Sequence, residues 1–415
     1  MKKIAIKSGL AAAAAILLFL ASCPNNTDDS FPSEDNPIDE MAGVAKAQAD
    51  WGTLSEDIPN NIGNAITANP KTTRTITWQS KQAEGEVVMV HKHFPSKSVL
   101  IDGWYFHRVD ITGLTGNKTY HYIAGCEGAY SPVYSFKTES IGPNGFSILH
   151  ITDPQLGTGE FTDDAAIWKR VIEKAVQNHP DAAFVVNTGD IVDNKDNDRD
   201  ENFDETGVPY YFDYAQETIA NFAFAYSMGN NDLEEWYNKY FYTPENGNGG
   251  ILYSFDYGNV HFVNIDSNVK LTSKQLSWLE NDLKNTKRKW KVAITHQADN
   301  GRTHTDTAIT KLFDWYYVDL VLAGHNHFYA RSKPIDSKGD EEERNDKGNG
   351  AVWTIPNAAG SKFNPPAGQS YLARDDQPYL PVFSEIWFDA ESIKLWAYTV
   401  DGDGTVNWYD YSTIR

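Results

Sequence analysis

The sequence predicts two folded parts in series: a small all-β antiparallel sandwich, then an α/β domain of mixed sheets with helices outside. Three observations carry this reading. The chain has 415 residues, more than one hydrophobic core ordinarily supports. Up to about residue 139 the apolar residues alternate with a period of two. After Gly142-Pro143, strand-like and helix-like spacings take turns. Composition narrows the function classes. A hydrophobic share of 40% with 13% aromatics supplies real cores and excludes a mostly disordered chain. With 36 Lys+Arg against 57 Asp+Glu the net charge is −21, which argues against a general binder of nucleic acid. A small phosphate ester stays within reach if something locally positive, such as a metal ion, draws it in.

The N-terminus reads as an export signal. Lys2, Lys3 and Lys7 precede an apolar run over residues 10–21. That run is shorter than the roughly 20 residues a membrane-spanning helix needs. The segment Leu20-Ala21-Ser22-Cys23 resembles the lipobox of bacterial lipoproteins. The resemblance implies a signal peptide over residues 1–22, acylation of Cys23, and an envelope protein held to a membrane on the periplasmic or outer side. Residues 23–50 read as an acidic tether, with Asp28, Asp29, Glu34, Asp35, Asp39 and Glu40 among Asn, Ser and Pro. The second of the chain's two cysteines, Cys126, then has no disulfide partner. It falls in an alternation with Tyr120, Tyr122 and Ala124 and reads as a small buried residue.

Residues 51–140 form the first folded part. Strands are expected around Ile76 and Trp78 and over residues 86–90, 105–111, 118–124 and 133–137, with Gly113 and Thr115-Gly116-Asn117 as turns. His91 and His93 lie on one strand face, but no further ligands surround them as a zinc site requires. The second part takes residues 145–415. Its predicted strands are 146–152, 183–186, 224–228, 260–265, 290–295 and 320–323, with helices over 163–179, 210–222 and 273–286. From residue 351 the pattern returns to strands, notably 382–388, 393–398 and 406–411. In the first helix, Ala166, Val171, Ile172 and Ala175 carry the apolar spacing.

Polar residues fall where these strands end. Asp153 follows the first, Gly189-Asp190-Ile191-Val192-Asp193 the second, and Gly229-Asn230-Asn231-Asp232 the third. His296 ends the strand at 290–295, and Gly324-His325-Asn326-His327 ends the next. Carboxyl ends of strands in an open α/β sheet gather at one crevice, so these side chains are expected to converge. Two Asp, one Asn and three His make a mixed N/O donor set suited to Zn, Mn or Fe.

In this order, the residues resemble the calcineurin-like metallophosphoesterases, and within them the purple acid phosphatases. The run Gly324-His325-Asn326-His327-Phe328-Tyr329-Ala330-Arg331 is similar to the purple acid phosphatase form. The stretches Asn69-Pro70, Thr77-Trp78-Gln79 and Tyr134-Ser135-Phe136-Lys137-Thr138 are similar to that family's fibronectin-III-like N-terminal domain. The resemblance implies an α/β/β/α domain with two mixed sheets and a centre of two metal ions (Fe, Zn or Mn). It implies that Asp190 bridges, that Asn230, His296 and His325 complete one site, and that Asp153 and His327 hold the other. The implied activity is hydrolysis of phosphate mono- or diesters by a metal-bound hydroxide, with ions about 3.5–4 Å apart.

Three positions depart from the family pattern. Gln155 stands where many relatives have His, Asp193 where a tyrosine gives the purple colour, and Asn231 where a His contacts phosphate or protonates the leaving group, which places Asn231 among the catalytic candidates. Gln155, Asp193 or both are expected to complete the first site, with a solvated Asp193 as the alternative. A protein lacking the tyrosinate should lack the purple charge-transfer band. His304 or Arg302, on the loop after His296, is expected to contact the phosphate in place of the missing His; the alternative is a solvent-exposed loop. The acidic run 193–205 lacks the Gly and terminal Glu of a calcium loop, and Asp401-Gly402-Asp403-Gly404 reads as a hairpin turn. The charged insert 338–347 receives no chemistry. The competing reading is a non-catalytic surface lipoprotein that keeps a degenerate scaffold for binding.

Overall fold

A computed structural model describes residues 58–90, 92–142, 144–193, 202–232, 234–247, 252–298, 307–337, 350–366 and 368–415. Cys23, the tether, His91, most of the acidic run 193–205, Arg302, His304 and the insert 338–347 lie outside the described residues.

Among the described residues the strands form three sheets. The second part contains two of them, packed face to face. In one, Phe146–Ile151, Val185–Asn187 and Phe224–Tyr226 run parallel, and Val382–Phe388, Ile393–Val400 and Val406–Ile414 extend it antiparallel. In the other, Val260–Ile265, Trp290–Ile294, Leu320–Leu322 and Val352–Pro356 are parallel, flanked by Leu252–Tyr257, Tyr329–Ser332 and Leu372–Asp376. The strands between the two layers are buried on both faces, which explains their mainly apolar sequences. Ile148, Phe184 and Val186 meet Phe255, Phe262 and Val292 between the sheets.

Helices Phe161–Asn178 and Asn202–Asn221 cover the outer face of the first sheet, and Ser273–Asn285 and Thr307–Tyr316 that of the second. The result is the expected α/β/β/α layering. The inward stripe of the first helix is Ala165, Trp168, Val171, Ile172 and Ala175; Ala166 faces solvent, one position off the expected register. The second helix starts eight residues earlier than the sequence suggests. It carries Pro209 inside and bends at Ala215, whose φ of −117° is not helical. Helices Glu234–Tyr240 and Thr307–Tyr316 and strand Leu252–Tyr257 had no counterpart in the sequence reading.

The N-terminal part is a sandwich, but one of its sheets does not end within it. Glu86–Met89, Lys92–Pro95, Thr119–Cys126, Ala129–Tyr130 and Tyr134–Lys137 form one layer. The other layer, Asn60–Ala65, Arg74–Ser80, Trp104–Ile111 and Lys97–Ile101, continues the first sheet of the α/β part. The junction is parallel, with Ala65 opposite Phe224. Tyr122 Oη donates to Ala220 O at 2.8 Å, and Gln216 exchanges two hydrogen bonds with the Ile62 backbone. Cys126, expected to be buried, is half-buried. His93 pairs with Glu86 at 2.9 Å on the surface, an ordinary strand histidine. Asp401–Gly404 makes the expected hairpin turn, with Gly404 N donating to Asp401 O.

Candidate metal centre

Asp153, Asp190, Asn230, His296, His325 and His327 meet at one crevice at the carboxyl ends of the parallel strands of the two sheets. Asp190, His296 and His325 bring ligand atoms within 4.8 Å of one another, and so do Asp153, Asp190 and His327. Asp190 belongs to both groups. Asp153, Gln155, Asp190, His325 and His327 all have positive φ, between 42° and 74°. Such backbone is costly for residues other than Gly, and its concentration here marks a functional site.

The glycines of the motifs are required sterically. A Cβ on Gly324 would lie 1.9 Å from Thr152 Oγ1 and 2.7 Å from Asp153 Oδ2; one on Gly229 would lie 2.1 Å from Asp190 Oδ1. Only Gly lets these loops close on the carboxylates.

Each histidine is oriented from behind. His296 Nδ1 sits 2.7 Å from Thr188 O, and His327 Nδ1 sits 3.0 Å from Lys362 O. Carbonyls can only accept, so both rings carry hydrogen on Nδ1 and turn Nε2 inward. There His327 Nε2 lies 3.3 Å from Asp153 Oδ1. His296 Nε2 lies 3.4 Å from Asp190 Oδ1 and 3.1 Å from Asn230 Oδ1. The His325 ring stands edge-on to His296, with centroids 5.2 Å apart. Its backbone N–H donates to Asp153 Oδ2 at 2.9 Å.

The electrostatics follow from this packing. Burial disfavours a charged His296, yet the Asp190 and Asp153 carboxylates overcome it and raise its pKa to about 10. Burial would likewise raise Asp190, but the His296 charge and the Asn231 hydrogen bonds hold it well below the usual carboxylate range. Burial and the neighbouring His296 charge push His325 down. Three oxygens, each an acceptor, therefore surround one fully buried imidazole. A divalent cation at Nε2 would satisfy the inward pair and let the ring stay neutral, so the donor set fits a metal.

Gln155 supports that fit. Its Nε2 donates to Asp190 Oδ2 at 2.8 Å, while its buried Oε1 has no hydrogen-bond partner among the described residues. The ends of an amide exchange by a half-turn, which would turn Oε1 toward a cation.

Two expectations are corrected. Asp193 joins neither group and is not solvated. It is buried, with Lys362 Nζ 3.1 Å from Oδ1 and Thr158 Oγ1 donating to Oδ2 at 3.2 Å. In this arrangement it is held by Lys362 and Thr158 and stands apart from both donor groups. Asn231 does not face outward toward a substrate. Its backbone N–H and its Nδ2 donate to the two oxygens of Asp190, at 2.8 and 2.5 Å, making it a holder of the shared carboxylate.

Three contributors escaped the sequence reading. Asp232 accepts from the backbone N–H groups of Asp190, Ile191 and Gly229 at 2.8–2.9 Å, fastening two motif loops together. Asp266, directly after Val260–Ile265, is buried with an Oδ2 that has no hydrogen-bond partner among the described residues, and burial raises its pKa. Its position at a strand end was a usable signal. Residues 357–364 form a wall of the crevice: Ala359 N donates to Thr152 O, Ser361 Oγ to Asp164, and Asn364 N to His327 O. Nothing local in the sequence connects that segment with the motifs.

Comparison with known proteins agrees with this geometry. Residues 146–329 match the calcineurin-like phosphoesterase family, and residues 59–138 match the purple acid phosphatase N-terminal domain. Purple acid phosphatase 21 of Arabidopsis thaliana is 27% identical over 261 residues, 56% of this chain and 54% of that protein. The chain thus spans about half the length of this relative. Probable purple acid phosphatase 20 of the same plant is 25% identical over 351 residues, 77% of this chain and 73% of that one. Among solved structures, purple acid phosphatase PPD1 from yellow lupin (Lupinus luteus) seeds shares the fold, with a TM-score of 0.67 at 18% identity. The match covers 86% of this chain and 74% of that one.

Proposed function

We propose, on the premise of a calcineurin-like phosphoesterase domain over residues 146–329 with a purple acid phosphatase N-terminal domain in front of it, a dinuclear metal-dependent hydrolase of phosphate mono- or diesters. The observation that carries the proposal is the pair of three-donor groups sharing Asp190. Asp190, Asn230, His296 and His325 would hold one ion, and Asp153, Asp190 and His327, with Gln155 turned by its half-turn, would hold the other. When bound, two divalent ions supply positive charge for a phosphate dianion and Lewis acidity toward the phosphoryl group and the attacking water.

The protein's own part is preorganisation. Thr188 O and Lys362 O fix the two rings, Asn231 fixes Asp190, and Asp232 fixes the turn that carries it. Thr152 Oγ1 donates to Asp153 Oδ2 at 2.6 Å and keeps that carboxylate aimed inward. His304 and Arg302, which follow His296 closely in the sequence, remain the proposed phosphate contacts. The lipobox-like Leu20-Ala21-Ser22-Cys23 supports an exported protein with a lipid anchor on Cys23.

Metal analysis combined with an aryl phosphate assay in added Mn, Zn or Fe tests the reading. Two equivalents of metal with turnover are expected. One equivalent without turnover would point to the non-catalytic scaffold.

A further inference from the structure

The segments that hold His327 from behind carry two aromatic rings. Phe363 lies between Lys362, whose carbonyl accepts from His327 Nδ1, and Asn364, whose N–H donates to His327 O. Tyr379 lies two residues after Gln377, whose Nε2 donates to His327 O at 2.6 Å and Asn364 O at 2.8 Å. The two rings meet edge to face, with centroids 6.4 Å apart and planes at 86°. Phe363 is half-buried, whereas Tyr379 is 65% exposed.

A lone exposed tyrosine would be unremarked. This one is held at φ 53°, a conformation unfavourable for a bulky side chain, and its N–H donates to Gln377 Oε1 at 2.9 Å. Prolines stiffen both carriers: Phe363-Asn364-Pro365-Pro366 and Pro378-Tyr379-Leu380-Pro381. A rigid, exposed ring loses little freedom when something stacks on it.

We propose that Phe363 and Tyr379 form a rim subsite that stacks a planar ring carried by the phosphate ester, so that the protein prefers aromatic esters to alkyl ones. The proposal deepens the hydrolase reading and rests on it. Stacking on a ring of this kind is worth on the order of three- to tenfold in affinity.

The test is inhibitor binding to the metal-loaded protein, measured by calorimetry without turnover. Phenylphosphonate is compared with methylphosphonate, and adenosine 5′-monophosphate with ribose 5-phosphate. The expected result is a preference of about three- to tenfold for the ring-bearing member of at least one pair. The first pair reports a ring beside the phosphorus, the second a ring one sugar away. Tyr379→Asn tolerates the left-handed backbone and should bring the ratio toward one, while Tyr379→Phe should keep it. Equal affinities within both pairs, no binding by any member, or a ratio indifferent to Tyr379→Asn would overturn the subsite. Ring preference in a protein that hydrolyses no ester would instead overturn the hydrolase reading and leave the subsite standing.

Discussion

Asp232 shows how one side chain can govern a centre without being a ligand. Its carboxylate gathers three backbone N–H groups from the loops that present Asp190 and Asn230. Asp232→Asn removes the charge and turns one acceptor into a donor. Outer partners of metal ligands are typically worth about 10–100-fold in metal affinity, and a loss of that size is expected in a chelator competition titration. Unchanged affinity would assign the residue to the fold alone. Lys362 and Asp193 make a second residue-scale prediction. Removing the ammonium in Lys362→Met leaves a buried carboxylate unpaired, and with Lys362 partly exposed the loss should be about 1–3 kcal/mol. Thermal melts should show most of it restored in the double variant Lys362→Met/Asp193→Asn. With Asp193 engaged this way and no tyrosine in its place, an iron-loaded sample should show no purple band. The ligands were legible because they follow apolar strands, with Asp190, Asn230 and His325 each directly after a Gly. The Lys362 pairing was not, since its partner lies 169 residues away and no local pattern encodes such a meeting.

Elements were legible where their residue types carried a plain strand or helix pattern, not simply where they are buried. Strand Val260–Ile265 was readable from its branched aliphatic residues Val260, Val263 and Ile265, whereas its partner Leu252–Tyr257, with two Tyr, a Ser and an Asp, passed unnoticed. Helix Asn202–Asn221 was mistaken at its start because a Pro commonly opens a helix, and Pro209 instead sits inside one that bends at Ala215. The hairpin Leu252–Tyr257/Val260–Ile265 also holds a pH-sensitive cluster. His261 lies 2.8 Å from both Asp256 Oδ1 and Asp282 Oδ2, and Arg288 pairs with Asp256. Burial opposes the charged ring, but the two carboxylates prevail and raise its pKa from 6.5 to about 9. A pKa raised on folding stabilises fully below the unfolded value and is lost as pH climbs through the folded one. The cluster should therefore contribute up to about 3 kcal/mol below pH 6.5 and lose it by pH 9. Denaturant titrations of the wild type and His261→Gln should converge over that interval. Parallel pH profiles would remove His261 as the cause.

At the scale of the molecule, the joining of the two parts through one sheet matters more than either core alone. The parallel junction of Asn60–Ala65 with Phe224–Tyr226 means that the strand bearing the Asn230 loop is flanked on one side by the N-terminal part. The cluster of Ile62, Ile76, Trp78, Val87 and Tyr122 includes Ala220 from the helix that precedes that strand. The Asn64 Nδ2 and Tyr122 Oη groups both donate to the buried Ala220 carbonyl, at 3.1 and 2.8 Å. Two parts that share a sheet and a core have no weak plane at which to separate, so calorimetry should record one cooperative transition. Tyr122→Phe, which deletes a hydroxyl but keeps the ring, should lower that transition by about 1 kcal/mol as a unit. It should move the fluorescence of N-terminal Trp78 and the near-ultraviolet signal of the α/β part together. A chain starting at residue 145 would uncover the edge of Phe224–Tyr226 and should aggregate rather than fold, as an unpaired apolar strand edge does. Two resolved transitions, or a soluble and metal-competent fragment, would show that the shared sheet is a contact of convenience. The N-terminal part would then be a passenger, with no share in the stiffness of the Asn230 loop.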